Sequence, residues 1–296
     1  MKSSFKQCRC VTIGILLAVF LSVASVPAQR LQVTVSIAPQ RYFVEKIGGE
    51  YVDVNVMVPP GADPHTYEPK PRQVVGLAKA RIFFALGLPF ENAWLDRFRA
   101  VNPEMLIIRT DEGIDKLLSS HEEAEGDGHG HEEDRGDPHI WLSPRLVMKQ
   151  ADHIVRALEE TDPPHAEAYR RNYTRFIGEL NGLDLYLRSV FQGAEGQLRF
   201  LVFHPTWGYF ARDYGLEQIP VESEGKEPKP AELVGIVDTA KRLNIKVVFV
   251  QPQFSVKSAQ VIADAIGGKV VVADPLSQDW DSNLRKTAQQ FRAALR

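Results

Sequence analysis

Cysteine is nearly missing from this 296-residue chain: there are two, Cys8 and Cys10, both within the first ten positions. Everything after them must be held without disulfides, and a metal bound there meets no thiolate, so imidazole and carboxylate are the strong donors that remain. Positive charge is short as well. With 35 Lys and Arg against 38 Asp and Glu, the formal charge is −3, the wrong balance for gripping nucleic-acid phosphates or an anionic lipid surface. No apolar run after residue 28 reaches the roughly 20 residues that a spanning helix requires.

The N-terminus is a segment of another kind. Lys2, Lys6 and Arg9 precede the apolar run "VTIGILLAVFLSVA", and "VPA" ends at Ala28, the layout of a cleavable export signal, residues 1–28. Its apolar run is too short for a membrane span. Both cysteines leave with the signal, and neither stands after the apolar run, where a lipid-anchored cysteine belongs. Without its three positive charges the mature chain carries −6.

From residue 31 onward, short β-branched runs alternate with helical patterns, the signature of α/β units around mainly parallel sheets. "LQVTVSIAP", "VDVNVMVPP", "RIFFALG" and "MLIIRT" read as strands of a first half, and "RFLVFHP", "QIPVE", "IKVVFVQP" and "KVVVADP" as strands of a second. "PRQVVGLAKA", "FENAWLDRFRA", "PRLVMKQADHIVRALEE", "KPAELVGIVDTAKRL" and "SVKSAQVIADAIGG" read as helices, with Ser143 and Ser255 as start signals and Gly267 as a stop. "LAKARIFFALGLPF" is faintly echoed by "TAKRLNIKVVFVQPQF", which suggests two similarly built lobes.

Between the halves, Ala166, Tyr169, Tyr173, Phe176, Leu180, Leu183, Leu187 and Val190 recur every three or four residues. This predicts one helix of about 30 residues, about 45 Å long, with Asp162 as its N-cap and prolines in its first turn. A helix of that length runs along both halves and joins them rigidly; the competing reading is a coiled-coil dimer seam, which Gly178 and Gly182 weaken. The expected division is residues 29–161 for an N-terminal lobe, 162–193 for the linking helix and 194–296 for a C-terminal lobe.

Four residues stand at or after strand ends, where open α/β sheets bind ligands. They are His65 in "VNVMVPPGADPHTYEP", His139 in "DPHIWLSP", His204 in "RFLVFHPTWGYF" and Asp274 in "KVVVADPLSQDW". Three imidazoles and a carboxylate suit zinc, which takes nitrogen and oxygen donors in a tetrahedron at about 2.0–2.2 Å, and two lobes would each supply two ligands. Asp274, before Pro275, also fits a plain turn former, and a water or another carboxylate would serve equally as fourth ligand. His153 and His165 fall within helices and read as surface residues. Residues 121–137 carry His121, His129 and His131 among acidic residues with no apolar side chain larger than alanine. Such a segment cannot offset its chain entropy by burial and is expected to be disordered when metal-free, holding metal weakly.

Taken in order, "PPGADPHTYEPKP", "DPHIWLSP", "VFHPTWGYFARDYGL", "EGKEPKPAELVGIV", "FVQPQFS" and "VVVADPL" resemble the motif series of the zinc- and manganese-specific solute-binding proteins of bacterial ABC transporters. The match covers essentially the whole chain after residue 31. The resemblance implies two α/β lobes joined by one long helix with the metal in the cleft between them, and a periplasmic receptor, expected to be monomeric, that hands its ion to a membrane permease. It places the metal ligands at His65, His139, His204 and Asp274, and it favours Zn2+, since manganese receptors of the family usually carry glutamate where this chain has His204. A charged, His-rich insertion before the second motif is also common among the zinc receptors. One departure is Gln251-Pro252-Gln253 in place of Glu-Pro-Gln, and Gln251 is not taken as a ligand. The competing functions are a manganese- or iron-selective receptor of the same family, a periplasmic zinc buffer or chaperone without a permease, and a zinc hydrolase. No His-Glu-x-x-His helix supports the last, and the chain is not expected to be an enzyme.

Overall fold

The computed structural model describes residues 29–118, 136–193, 198–222 and 228–294; the expected signal, and His121, His129 and His131 with most of the acidic segment, lie outside them. All eight strands read from the sequence form, and each runs parallel to its neighbours.

The first lobe comprises β1 (Leu31–Val35), α1 (Ala38–Gly48), β2 (Val52–Val56), α2 (Pro71–Gly76), β3 (Ile82–Ala85), α3 (Pro89–Val101) and β4 (Leu106–Arg109), with strand order β2-β1-β3-β4. Two helices follow, α4 (Pro144–Thr161) and α5 (Ala166–Phe191). The second lobe holds β5 (Leu198–Val202), α6 (Gly208–Tyr214), β6 (Leu216–Pro220), α7 (Pro230–Arg242), β7 (Val247–Val250), α8 (Val256–Ala265), β8 (Lys269–Val272) and α9 (Trp280–Ala294), with order β6-β5-β7-β8.

The two sheets thus share one topology, and the echoed sequences supply the equivalent inner strands. β3 (IFFA) and β7 (VVFV) are buried at every residue, as unbroken apolar runs must be when helices cover both faces of a parallel sheet. In each sheet the chain leaves its first strand to one side and returns on the other, so the carboxyl ends of β1 and β3, and of β5 and β7, flank a switch point.

Ser143 caps α4 by accepting the Leu146 N–H at 3.3 Å, and Ser255 caps α8 through Ser258 at 3.4 Å. Asp162 behaves differently from its expected role. It closes α4 and precedes a 3-10 turn at residues 163–165, and its carboxylate takes the His165 Nδ1–H (2.8 Å) and the Tyr169 hydroxyl (2.5 Å) in place of a helix-end amide. His165 stacks on Tyr51 at 4.1 Å, and His153 Nε2 contacts the Glu112 carbonyl at 3.1 Å; both are partly exposed, and neither belongs to the cluster of His65, His139 and His204.

α5 has 26 residues, about 39 Å at 1.5 Å per residue. Tyr169, Phe176, Leu180, Leu183 and Leu187 along its stripe are buried within the chain, since α5 packs on α1 and α4 of one side and on α6 and α9 of the other. The stripe is therefore core, and no dimer seam is left on it.

Helices α1, α6 and α9 were not among those read from the sequence. α9 matters most. Its Trp280 meets Phe43 of α1 edge-on at 5.0 Å, while its Phe291 stacks on Phe200 of β5 at 4.5 Å and meets Phe249 of β7 at 4.3 Å. One end is thus packed in the first lobe and the other in the second, and one apolar cluster runs through both lobes along α5 and α9, while a second, including Leu201, Val248, Val250 and Ile262, lies within the second lobe. Among the described residues no helix is long and apolar enough to cross a membrane.

Candidate metal centre

His65 lies in the loop after β2, which stays paired to the sheet through Met57 and Val58 before turning at Gly61, where φ is 80°. Asp63 shapes the next turn: its Oδ1 accepts the His65 N–H at 2.9 Å and its Oδ2 the Thr66 hydroxyl at 3.2 Å. The same tripeptide, Asp-Pro-His, recurs at 137–139, where Asp137 Oδ1 accepts the His139 N–H at 2.9 Å. In both turns the acid bonds the backbone two residues on while proline fixes the chain between them, and the histidine is presented in one orientation.

His204 arrives by another route, two residues past the end of β5. Gln251, just after β7, brackets its backbone. Gln251 Oε1 accepts the His204 N–H at 3.2 Å, and its Nε2 donates to the His204 carbonyl and, at 3.0 Å, to Thr206 Oγ1. The ring of His204 lies against Phe254 at 5.2 Å.

The three imidazoles converge. His65 Nε2 is 3.1 Å from both His139 Nε2 and His204 Nε2, and the ligand atoms of all three lie within 4.8 Å of one another. A tetrahedral ion bound at about 2.0–2.1 Å would set its nitrogen ligands roughly 3.3–3.4 Å apart, so the two 3.1 Å spacings are near those of a coordination polyhedron. His139 and His204 are buried, at 3% and 6% exposure, and His65 is half-buried. The remaining direction faces a cleft lined by Asp63, Thr206, Gln253, Phe254 and Leu276.

Carboxylates stand behind two of the rings. Asp137 Oδ1 takes the His139 Nδ1–H at 2.6 Å, and Glu222 Oε1 takes that of His204. Each fixes the tautomer whose Nε2 lone pair points into the centre. Burial pushes the His139 imidazole below its ordinary value against the upward pull of Asp137, which keeps that ring neutral and its lone pair available.

Asp274, expected as a fourth ligand, is not in the group of converging atoms. Its Oδ1 accepts the Leu276 N–H at 2.9 Å, it is also bonded by the Gln253 side chain, and burial raises its carboxyl. Asp274-Pro275-Leu276 is therefore a third Asp-Pro turn of the kind at Asp63 and Asp137, with leucine in the place of histidine. Asp63, Asp137, Glu222 and Gln251 were not singled out as site residues by sequence reasoning. The repeated Asp-Pro-His carried a signal for two of them; Glu222, 18 residues from His204, carried none.

The family model described as ZnuA, zinc-uptake complex component A, periplasmic, matches residues 33–294. The high-affinity zinc uptake system protein ZnuA of Bacillus subtilis (strain 168) is 30% identical over 253 residues, 83% of this chain and 79% of that protein. A putative metal-binding protein of Chlamydia muridarum (strain MoPn / Nigg) is 30% identical over 267 residues, 90% of this chain and 92% of its own. Among solved structures, a crystal structure of ZnuA matches with a TM-score of 0.83 at 45% identity, over 90% of this chain and 100% of that one. A zinc-bound deletion mutant of ZnuA gives the same score and identity over 90% and 98%.

Proposed function

Because the chain belongs to the ZnuA family, the periplasmic component A of zinc-uptake complexes, we propose that it captures Zn2+ between its lobes at Nε2 of His65, His139 and His204 and delivers it to the membrane permease of an ABC importer. The observation that carries this reading is the convergence of three ring nitrogens, two of them held in register by buried carboxylates. Three neutral nitrogen donors form a softer site than a carboxylate-rich one, which favours zinc over manganese. Two donors come from the first lobe and one from the second, and the fourth position is left to water or a small ligand from the cleft. The acidic arm with His121, His129 and His131 would add weak, transient sites that raise the local zinc concentration.

The test is elemental analysis of the protein purified from its native host without chelators, where about one equivalent of zinc is expected. Manganese or iron in its place would overturn the zinc assignment. Bare affinity would not discriminate, because zinc outcompetes manganese at most sites.

A second expectation separates Asp274 from the histidines. Asp274→Asn retains an oxygen for the Leu276 N–H, so zinc affinity should change less than about tenfold, or 1.4 kcal/mol, in competition with a chromophoric chelator. A loss as large as that of a histidine variant would return Asp274 to the coordination sphere.

A further inference from the structure

A Zn2+ ion on three neutral imidazoles would bring two positive charges into a largely buried centre, and burying uncompensated charge is costly. The compensation is found one bond further out. Asp137 and Glu222 are buried, and each meets the back of one ligand ring at Nδ1. They come from different lobes: Asp137 precedes the turn into α4, and Glu222 follows β6, where its backbone N–H donates to the Phe203 carbonyl at 3.1 Å. That bond ties Glu222 to the residue beside His204, so acid and imidazole move as one unit.

We propose that Asp137 and Glu222 form a divided counter-charge, one unit from each lobe, that offsets the positive charge of a divalent ion from behind the rings without placing a carboxylate on it. This rests on the three-histidine reading above and deepens it: charge selection and donor selection are assigned to different residues. The nitrogens face the ion and set its chemical type; the carboxylates, acting through the rings, set the ionic charge the site accepts. A carboxylate ligand would combine both tasks and harden the site.

The isosteric variant Glu222→Gln keeps an oxygen to accept the His204 Nδ1–H and removes only the charge. The work lost is proportional to the charge of the bound ion, so a dication loses twice the binding free energy of a monocation. With Zn2+ and Ag+ as probes on the purified full-length protein, zinc affinity should fall about 10- to 100-fold, the usual consequence of losing an outer partner. Silver affinity should then fall by the square root of that, roughly 3- to 10-fold. Asp137→Asn on the other lobe should give the same signature and keeps the test readable if Glu222→Gln does not fold. Equal losses for both ions would mean that the acids only hold the rings in place, and an unchanged zinc affinity would mean that they do neither; each overturns the proposal while the zinc centre stands. A wild-type chain that takes up no zinc would overturn the centre itself and this inference with it.

Discussion

His139→Ala is expected to lower zinc affinity more than 100-fold, beyond the roughly 10- to 100-fold typical of losing an outer partner. The substitution removes one of three donors, and the two that remain, His65 and His204, hold their nitrogens only 3.1 Å apart on one side of the ion. It also strands Asp137, whose Oδ1 now serves both the ring and the backbone N–H of residue 139, in a buried place with half its partners gone. Competition with a chromophoric chelator measures the affinity. Thermal denaturation with and without metal gives an independent reading: a ligand at 1,000 times its Kd stabilises the folded state by about 4.1 kcal/mol, and that increment should vanish in the variant. A variant that keeps both would exclude His139 from the centre. His65→Ala and His204→Ala should behave alike in affinity, because any one of the deletions leaves two donors.

The largest loss of stability is expected away from the metal, at Trp280→Ala, about 3–5 kcal/mol. Trp280 is 2% exposed and packs edge-on against Phe43 at 5.0 Å, so its removal opens a cavity that rigid neighbours cannot fill. Its indole N–H also donates to the Trp141 carbonyl at 2.8 Å, while the Trp141 indole donates to the Pro275 carbonyl at 2.7 Å. These two bonds clamp the segment just after His139 to the loop before α9. Urea unfolding measures the loss, and Trp280→Phe, which keeps a ring and loses the bond, should cost less, with about 1 kcal/mol from the missing bond itself. A loss below 1 kcal/mol for the alanine variant would show that α9 contributes little to holding the lobes together. Zinc affinity of the alanine variant should fall too, because His139 stands two residues from the released carbonyl.

Much of the fold was legible because eight apolar, mostly β-branched runs alternate with helical stripes, and parallel sheets leave such runs unbroken. Strand ends were less so. "VDVNVMVPP" continues apolar past Val56, where the ladder stops, because Met57 and Val58 are still buried as the chain leaves the sheet. α6, at seven residues, is too short to show a period, whereas α9 did hold one in Trp280, Leu284, Ala288 and Phe291, all buried. The histidines were legible from their positions after strands. Asp274 shares that placement but stands outside the converging atoms, with its carboxylate bonded by the Leu276 N–H and the Gln253 side chain. Glu222 could not be read from the chain at all, since its partner is brought to it by the pairing of β5 with β6 and not by proximity in sequence.

α9 changes what the linking helix means. The sequence predicted one connection between the lobes, and a body joined to another by a single rod retains a twist about that rod. The second crossing, anchored by Trp280 at one end and Phe291 at the other, removes that freedom, much as a second bolt stops a plate from turning on the first. The spacing of the imidazoles is then set before any ion arrives, so little binding energy is spent on bringing the lobes together.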